Sequence, residues 1–454
     1  MSRAVVVGLA VTGRAVARRL TERGWDVDVV DDRPTDATRS AAVELGVELT
    51  EAPDPDRLDA MARRAELVVV SPGVPARHPV FSLGAPTPVV SEIELASTWT
   101  TAPLLAVTGT NGKTTVVTLV ADMLRRSGRD AVAAGNSIGE TLIDAVSVGA
   151  EAYVVEVSSF QLALTRTFRP RVAGWLNFAP DHLDWHPDLD DYRRAKARIW
   201  ANQGPDDTAV VNVDDAVVRR TALEPGTAAP GRVVGFGILG GSGAADEEWP
   251  LGAAYRVSGE WLVGPDGEPM VERDALPRAL PHDLANALAA LAVARAGGAD
   301  PVACRQALVE FEGLPHRVAL VGDSGGVRFF DDSKATTPAS VLAAMSGFDS
   351  MVLIAGGRNK GLDLSVLSSE ASRVRAVVAI GEAAGEVEAA FAGLRPVETA
   401  SSMREAVAKA AELARPGDAV VLSPGCASFD WYGSYAERGD DFARAVAELI
   451  GARR

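Results

Sequence analysis

Thr108-Gly109-Thr110-Asn111-Gly112-Lys113-Thr114-Thr115 decides the fold because of what flanks it. Before it, Leu104 to Val107 is an apolar run of strand length; after it, Val116, Leu119, Val120 and Met123 recur at the spacing of one helical face. A strand that empties through a glycine-rich turn into a helix is a phosphate cradle. Glycines let backbone N–H groups close around phosphate oxygens, and the helix N-terminus adds its positive end. In that reading Lys113 contacts the terminal phosphates of the ligand and Thr114 ligates Mg2+, while Gly109, Thr110, Asn111, Gly112 and Thr115 complete the loop. Val107 stands where the full pattern has glycine. The competing reading, a plain glycine turn with an exposed lysine, is disfavoured by the strand-loop-helix context.

Working outward, Val5 to Val7, the turn Gly8 to Gly13, a helix over Arg14 to Arg23 and a strand Val27 to Val30 ending at Asp31-Asp32 form a strand-helix-strand unit. Glu66 to Val70, before Ser71-Pro72-Gly73, continues it, so a parallel sheet with ligand-binding loops at its carboxyl end is predicted. This first domain spans 1–99, and Thr100 to Pro103 reads as a linker. A middle domain, 100–312, adds strands at Tyr153 to Val157, Val172 to Asn177 and Ala209 to Asn212, and a helix over Asp283 to Ala296. Its glycine-rich, acidic stretch Gly235 to Gly259 reads as loops and short strands. The third domain, 313–454, alternates again, with strands near Val327 to Phe330, Met351 to Ala355, Ala376 to Ile380 and Ala419 to Leu422. The expected architecture is α/β in three domains: Rossmann-like at both ends, with a P-loop ATPase-type domain between.

The chain has 454 residues with 47% hydrophobic content, enough for several cores, and a formal net charge of −16. That charge opposes general nucleic-acid binding or adhesion to anionic lipid, so phosphate recognition has to be local. No apolar run is long enough to span a bilayer, and no signal segment opens the chain. Two cysteines, Cys304 and Cys426, give neither a disulfide framework nor metal-ligand spacing, which fits a reducing cytoplasm.

Other chemistry lies at strand ends. Alternation puts Val154, Glu156 and Ser158 on one face; an edge strand or a salt bridge would explain the acid, but a phosphate loop nearby favours a Mg2+ ligand. Asp181-His182-Leu183-Asp184 clusters an imidazole with two carboxylates after a strand. Tyr192, Ala195, Lys196 and Ile199 share a helical face, so Lys196 is either snorkelling or chemically employed, and the pattern alone gives snorkelling the edge. Asp331 to Thr337 and Gly356 to Gly361 each offer an anion cradle after a strand.

Taken in chain order, GLAVTG (8–13), SPGVPARHP (71–79), TGTNGKTT (108–115), EVSSFQL (156–162), NFAPDHLD (177–184), YRRAKARIW (192–200), GLPHR (313–317), DDSKATTP (331–338), GGRNKG (356–361) and SPGCASFD (423–430) resemble the Mur ligase family over essentially the whole chain. The DDSKATTP text is similar to the branch that adds D-glutamate. The resemblance implies an ATP-dependent ligase, joining D-glutamate to UDP-N-acetylmuramoyl-L-alanine through an acyl phosphate in peptidoglycan precursor synthesis. It further implies two Mg2+ ions, held with Thr114, Glu156 and His182, and a CO2-derived carbamate on Lys196. The UDP-linked substrate would meet Thr12, Asp31, Asp32, Arg33, Ser71, Gly73, Asn136 and His182. Asn286, Arg317 and Asp332 correspond to nucleotide positions; Lys334, Thr336, Lys360, Ser428, Phe429 and Tyr435 correspond to D-glutamate positions. Asp283 stands where the family has asparagine, and Ala10 where it has a second glycine. His316 is a further candidate near the reacting phosphate. A monomer that closes its domains on small-molecule substrates is expected. The alternatives are a sister ligase with another acceptor amino acid, a non-catalytic UDP-sugar sensor, and a nicotinamide-dependent oxidoreductase built on Gly8 to Gly13 and Asp31.

Overall fold

The computed structural model describes residues 2–239 and 254–452, which form three sheets. The first comprises β1 (Arg3–Val7), β2 (Asp26–Asp31), β3 (Glu48–Glu51), β4 (Leu67–Val70) and β5 (Val89–Ser91) in the order β3-β2-β1-β4-β5, all parallel. Strand order reverses at β1, so the loops after β1 and β4 diverge and leave a crevice at the carboxyl edge. Ala4 and Val6 join one core and Val5 and Val7 the other, as the two-residue period of a sheet covered on both faces requires.

The middle sheet comprises β6 (Leu104–Thr108), β7 (Ala131–Gly135), β8 (Ala152–Glu156), β9 (Val172–Trp175), β10 (Thr208–Asn212), β11 (Arg232–Phe236), β12 (Ala254–Ser258), β13 (Trp261–Val263) and β14 (Pro269–Glu272). Its order is β14-β13-β12-β11-β10-β9-β6-β8-β7. The pairs from β7 through β12 are parallel, and β12, β13 and β14 form an antiparallel end. The loop-and-short-strand reading of Gly235 to Gly259 holds for the end of β11 and for β12, while 240–253 lie outside the described residues.

The third sheet comprises β15 (Ala319–Ser324), β16 (Val327–Asp331), β17 (Met351–Gly356), β18 (Val374–Ile380), β19 (Val397–Ala400) and β20 (Ala419–Gly425), in the order β15-β16-β20-β17-β18-β19. It is parallel except for β15, which pairs antiparallel with β16. That hairpin was not foreseen, and it turns on Gly325 and Gly326, both at positive φ.

By packing, the chain divides into two compact units. One comprises Met1–Phe178, His182–Leu276 and Ala285–Glu310; the other comprises Ala179–Asp181, Pro277–Leu284 and Phe311–Arg454. The first two sheets share a unit because the short helix Glu92–Ser97 bolts them together. Glu92 accepts the Ile143 N–H at 2.6 Å, capping the helix Leu142–Val148. Glu94 accepts the N–H groups of Arg166, Thr167 and Phe168 at 2.9, 2.8 and 2.9 Å, and the Thr167 hydroxyl at 2.7 Å. Arg18 and Arg19 both reach Asp144 at 2.7 Å. One apolar cluster runs continuously from Ala4 through Ile93 to Trp175. Among the described residues no helix is long and apolar enough to cross a membrane.

Candidate active site

The phosphate-type loop leaves β6 between β8 and β9 and enters the helix Lys113–Arg126, whose Val116, Leu119, Val120 and Met123 are buried as the spacing predicts. Gly112 is required here: its φ is +84°, and a Cβ would lie 2.4 Å from Asn286 Oδ1 on the helix Pro281–Ala296. Asn286 is therefore seated against the loop. Asn177, just past β9, holds the loop from the other side. Its Oδ1 accepts the Asn111 N–H at 2.8 Å, its Nδ2 donates to the Asn111 carbonyl at 3.1 Å, and its own carbonyl accepts the Thr110 N–H at 3.2 Å. Lys113 Nζ donates to the Gly109 and Thr110 carbonyls at 2.9 and 3.0 Å, so the ammonium lies over the loop. Thr114 and Thr115 follow it in the first turn of that helix.

Glu156 ends β8, which is interior, between β6 and β7; the edge-strand explanation is thereby corrected. Its side chain is buried, and neither carboxylate oxygen has a hydrogen-bond partner among the described residues. Lys196 corrects the second expectation. It does not snorkel but is 2% exposed, in the helix Leu189–Ala197, because that helix lies against the loop rather than along the surface. Its Nζ donates to the Gly109 carbonyl at 2.9 Å, lies 3.5 Å from Thr108 Oγ1 and sits 4.7 Å from the Tyr192 ring centre. The Gly109 carbonyl thus accepts from both lysines. Ile199, expected on the same helix, falls in a following 3-10 turn, Arg198–Trp200.

His182 adopts φ +56°, and its ring stands edge-on to Phe160 at 4.7 Å. Among the described residues no group of three or more His, Cys, Asp or Glu converges, so Glu156 and His182 do not belong to a closed protein cage. A divalent ion fits these residues only if phosphate, water and hydroxyl oxygens supply the rest of its shell, as Mg2+ sites usually arrange. The unpartnered oxygens of Glu156 are the observation that favours such an ion, since a buried carboxylate without a partner is costly.

Beside the first sheet, a cavity of about 670 Å3 is lined by Thr12, Asp31, Asp32, Arg33, Ser71, Gly73 and Asn136, together with Gly8, Arg77 and His78. Seven of the eight residues predicted to meet the UDP-linked substrate line this cavity and His182 does not, and the two aspartates differ. Asp31 accepts the N–H groups of Leu9 and Arg33, each at 3.0 Å, and so braces its own turn. Asp32 is the more open acid, with the buried His78 Nε2 at 3.3 Å. His78 Nδ1 accepts the Val80 N–H at 3.1 Å, which leaves the proton on Nε2, facing Asp32. The dinucleotide reading needs Asp31 directed at a ribose, and its inward bonds weigh against it.

In the other unit, Asp332 follows β16; it accepts from Ser423 Oγ at 2.7 Å, and burial pushes its carboxyl up to about 7. His316, at φ +61°, is hydrogen-bonded to Asp331 at 2.6 Å, and Arg317 follows it. Lys334 Nζ lies 3.7 Å from the Tyr435 ring centre. Thr336 is half-buried, Ser428 is buried, and Lys360 and Phe429 are exposed, all on loops at the carboxyl ends of the parallel strands.

Three family models match the sequence: the Mur ligase MurD-like N-terminal domain over 2–87, the Mur ligase middle domain over 107–294, and the Mur ligase glutamate ligase domain over 316–426. The UDP-N-acetylmuramoylalanine–D-glutamate ligase of Frankia casuarinae is 44% identical, with 98% of this chain and 94% of that protein covered. The chain belongs to the Mur ligase family. The ligase of the same name from Desulfosudis oleivorans is 42% identical over 98% of this chain and 96% of its own. Among solved structures, the UDP-N-acetylmuramate-alanine ligase MurC of Thermotoga maritima aligns with a TM-score of 0.59 at 19% identity, covering all of both chains. MurF of Acinetobacter baumannii aligns at 0.60 and 17%, covering 99% of this chain and 93% of its own. At those identities the structures bear on fold: three Mur ligase domains of mixed α/β sheet.

Several residues of this Mur ligase escaped the sequence reading. Asn177 and His78 stood inside quoted motifs without roles, and only the folded contacts single them out. His186 was missed entirely. It is fully buried, bonds Asp191 at 2.7 Å and Ser159 at 2.9 Å, and ties the turn after Glu156 to the helix of Lys196. Burial pushes its imidazole below the ordinary value, against the pull of Asp191. Asp283, which replaces the family's asparagine, pairs with Arg278 at 3.2 Å, which supplies a reason for an acid there in this chain.

Proposed function

We propose that this Mur ligase joins D-glutamate to UDP-N-acetylmuramoyl-L-alanine at the expense of ATP, in cytoplasmic peptidoglycan precursor synthesis. Its UDP-substrate domain is 1–99, its ATP domain 100–312 and its amino-acid domain 313–454. The observation that carries the reading is the buried Glu156, whose oxygens lack partners at the end of the strand paired in register with the one that opens into the lysine loop. Relatives at 42–44% identity bear the name of this activity.

The Asn111 loop and Lys113 receive the ATP phosphates, with Asn286 against the loop and Arg317 and Asp332 as further nucleotide contacts. The alanyl carboxylate attacks the γ-phosphorus, a P–O bond forms as ADP leaves, and the acyl phosphate results. The amine of D-glutamate then attacks the carbonyl carbon, loses a proton and expels phosphate. Lys113 neutralises charge that accumulates on the transferring group, where positioning and electrostatics supply most of the catalysis. Two Mg2+ ions, held through Thr114, Glu156, His182 and a carbamylated Lys196, would supply charge neutralisation. Carbamylation joins the Lys196 nitrogen to the carbon of CO2 with loss of a proton, turning an amine into an acceptor group. Thr12, Asp32, Arg33 and Asn136 bind the UDP-linked substrate, and Lys334, Thr336, Lys360, Ser428, Phe429 and Tyr435 receive D-glutamate.

The test is ADP and phosphate release with UDP-N-acetylmuramoyl-L-alanine and a panel of amino acids. D-Glutamate alone is expected to drive turnover, with no change in nicotinamide fluorescence. Turnover with another amino acid would assign the chain to a sister activity, and none at all would overturn the reading.

A further inference from the structure

Arg438, in the first turn of the helix Tyr435–Ala452, is 1% exposed and among the largest fully buried side chains. Its Nε donates to Ser333 Oγ at 2.9 Å, Nη2 to the Ser333 carbonyl at 2.8 Å, and Nη1 to the Cys426 carbonyl at 3.1 Å. Ser333 Oγ in turn donates to the Tyr435 carbonyl at 2.7 Å. A third loop meets the same group: a Cβ on Gly357 would lie 3.2 Å from Arg438 Nη1 and 2.5 Å from the Ala427 carbonyl. Arg358 and Ala427 exchange backbone hydrogen bonds at 2.9 and 3.0 Å, which holds that loop against the one after β20. One guanidinium therefore bonds the loops that follow β16 and β20 directly and packs against Gly357 in the loop that follows β17, which is itself bonded to the loop after β20.

No carboxylate lies within ion-pairing distance of it among the described residues, and burial pushes it down to about 10. Asp430 and Asp331 favour the charged form only from longer range; a buried cation with no directly paired carboxylate is an expensive way to fill space, and an apolar side chain of similar volume would be cheaper. What an apolar group or a lysine cannot do is hold acceptors on separate loops at set angles with a planar fork of donors. Those loops carry Lys334, Thr336, Lys360, Ser428 and Phe429, and Tyr435 opens Arg438's own helix. Asp332 is anchored independently, by Ser423 Oγ and by its N–H to the Leu422 carbonyl at 2.8 Å.

We propose that Arg438 is a positioning residue for the incoming amino acid: without touching substrate, it sets the spacing of the three loops that receive it. This rests on the functional reading above. The test is steady-state kinetics of the full chain carrying Arg438→Lys or Ser333→Ala, varying D-glutamate, ATP and the UDP-linked substrate in turn. Arg438→Lys is expected to raise KM for D-glutamate about tenfold or more, as loss of charge-assisted hydrogen bonds implies, with kcat and the other two KM values within about threefold. Ser333→Ala, which keeps the cation, is expected to move the same constant in the same direction by less, and it carries the test if the lysine variant does not fold. An unchanged KM for D-glutamate, or equal shifts in all three KM values, would overturn the proposal. Wild-type enzyme that turns over no D-glutamate would instead sink the functional reading. In that event the same split is measured with whichever amino acid supports turnover.

Discussion

At Glu156 two carboxylate oxygens sit buried without partners, and a residue kept for stability would not be left so. Replacing it by glutamine removes the charge and little volume. Glu156→Gln is therefore expected to lower kcat at least about a hundredfold while leaving the melting temperature of the ligand-free protein unchanged or higher, in line with the trade between stability and activity. Calorimetry alongside an ADP assay checks both halves, and a variant that melts lower yet turns over normally would make Glu156 structural. Lys196 allows a parallel argument. Lys196→Ala is expected to lose activity and regain part of it with millimolar acetate, and labelled bicarbonate should give a carbamate carbon resonance in the wild type only. Neither residue's burial was legible from the sequence. Alternation placed Glu156 on a face but could not say that the sheet is covered on both sides, and the helical stripe of Lys196 fits a snorkelling lysine equally well. Periodicity singled both residues out, and only the order of motifs attached a carbamate to Lys196.

Elements were more legible than sites. The strand-loop-helix around Lys113 emerged within a residue of the expected bounds because an apolar run and a 3.6-residue period meet across glycines. The helix Glu92–Ser97 shows the opposite case. Nothing in the text Glu92-Ile93-Glu94-Leu95 singles it out, yet both glutamates are buried. The donors that pull them in lie 51 to 74 residues further on, at sequence separations that no local pattern encodes. Glu94 accepts three backbone N–H groups and a hydroxyl, and truncation would strand all of them. Glu94→Ala is expected to destabilise the protein by roughly 2–4 kcal/mol, from unsatisfied buried donors, and Glu94→Gln by about half as much. Denaturant unfolding measures the difference. Equal stability of the three proteins would mean that water replaces the carboxylate at no cost.

For the whole molecule, buried carboxyls give the pH dependence of stability a definite sign. Burial pushes Glu92 up to about 7 against the pull of the Ile143 N–H, with Asp144, itself paired to Arg18 and Arg19, adding to the rise. Asp332 is raised to about 7 for the same first reason. Both acids hold a proton in the folded state that the unfolded chain releases near pH 4, so stability is greatest below that value, falls as pH rises toward 7, and is flat above it. Each contributes on the order of 3 kcal/mol across that window. Asp418 works the other way: burial raises it, but hydrogen bonds led by Arg375 hold it at about 2, so its contribution is lost only as pH falls below the ordinary carboxylate range. Melting temperatures between pH 4.5 and 8 are therefore expected to decline with pH. Glu92→Gln keeps an oxygen for the Ile143 N–H but cannot ionise. It should match the wild type near pH 4.5 and exceed it at pH 8, and a wild-type profile that rises over that interval, with the variant parallel to it, would contradict the assignment.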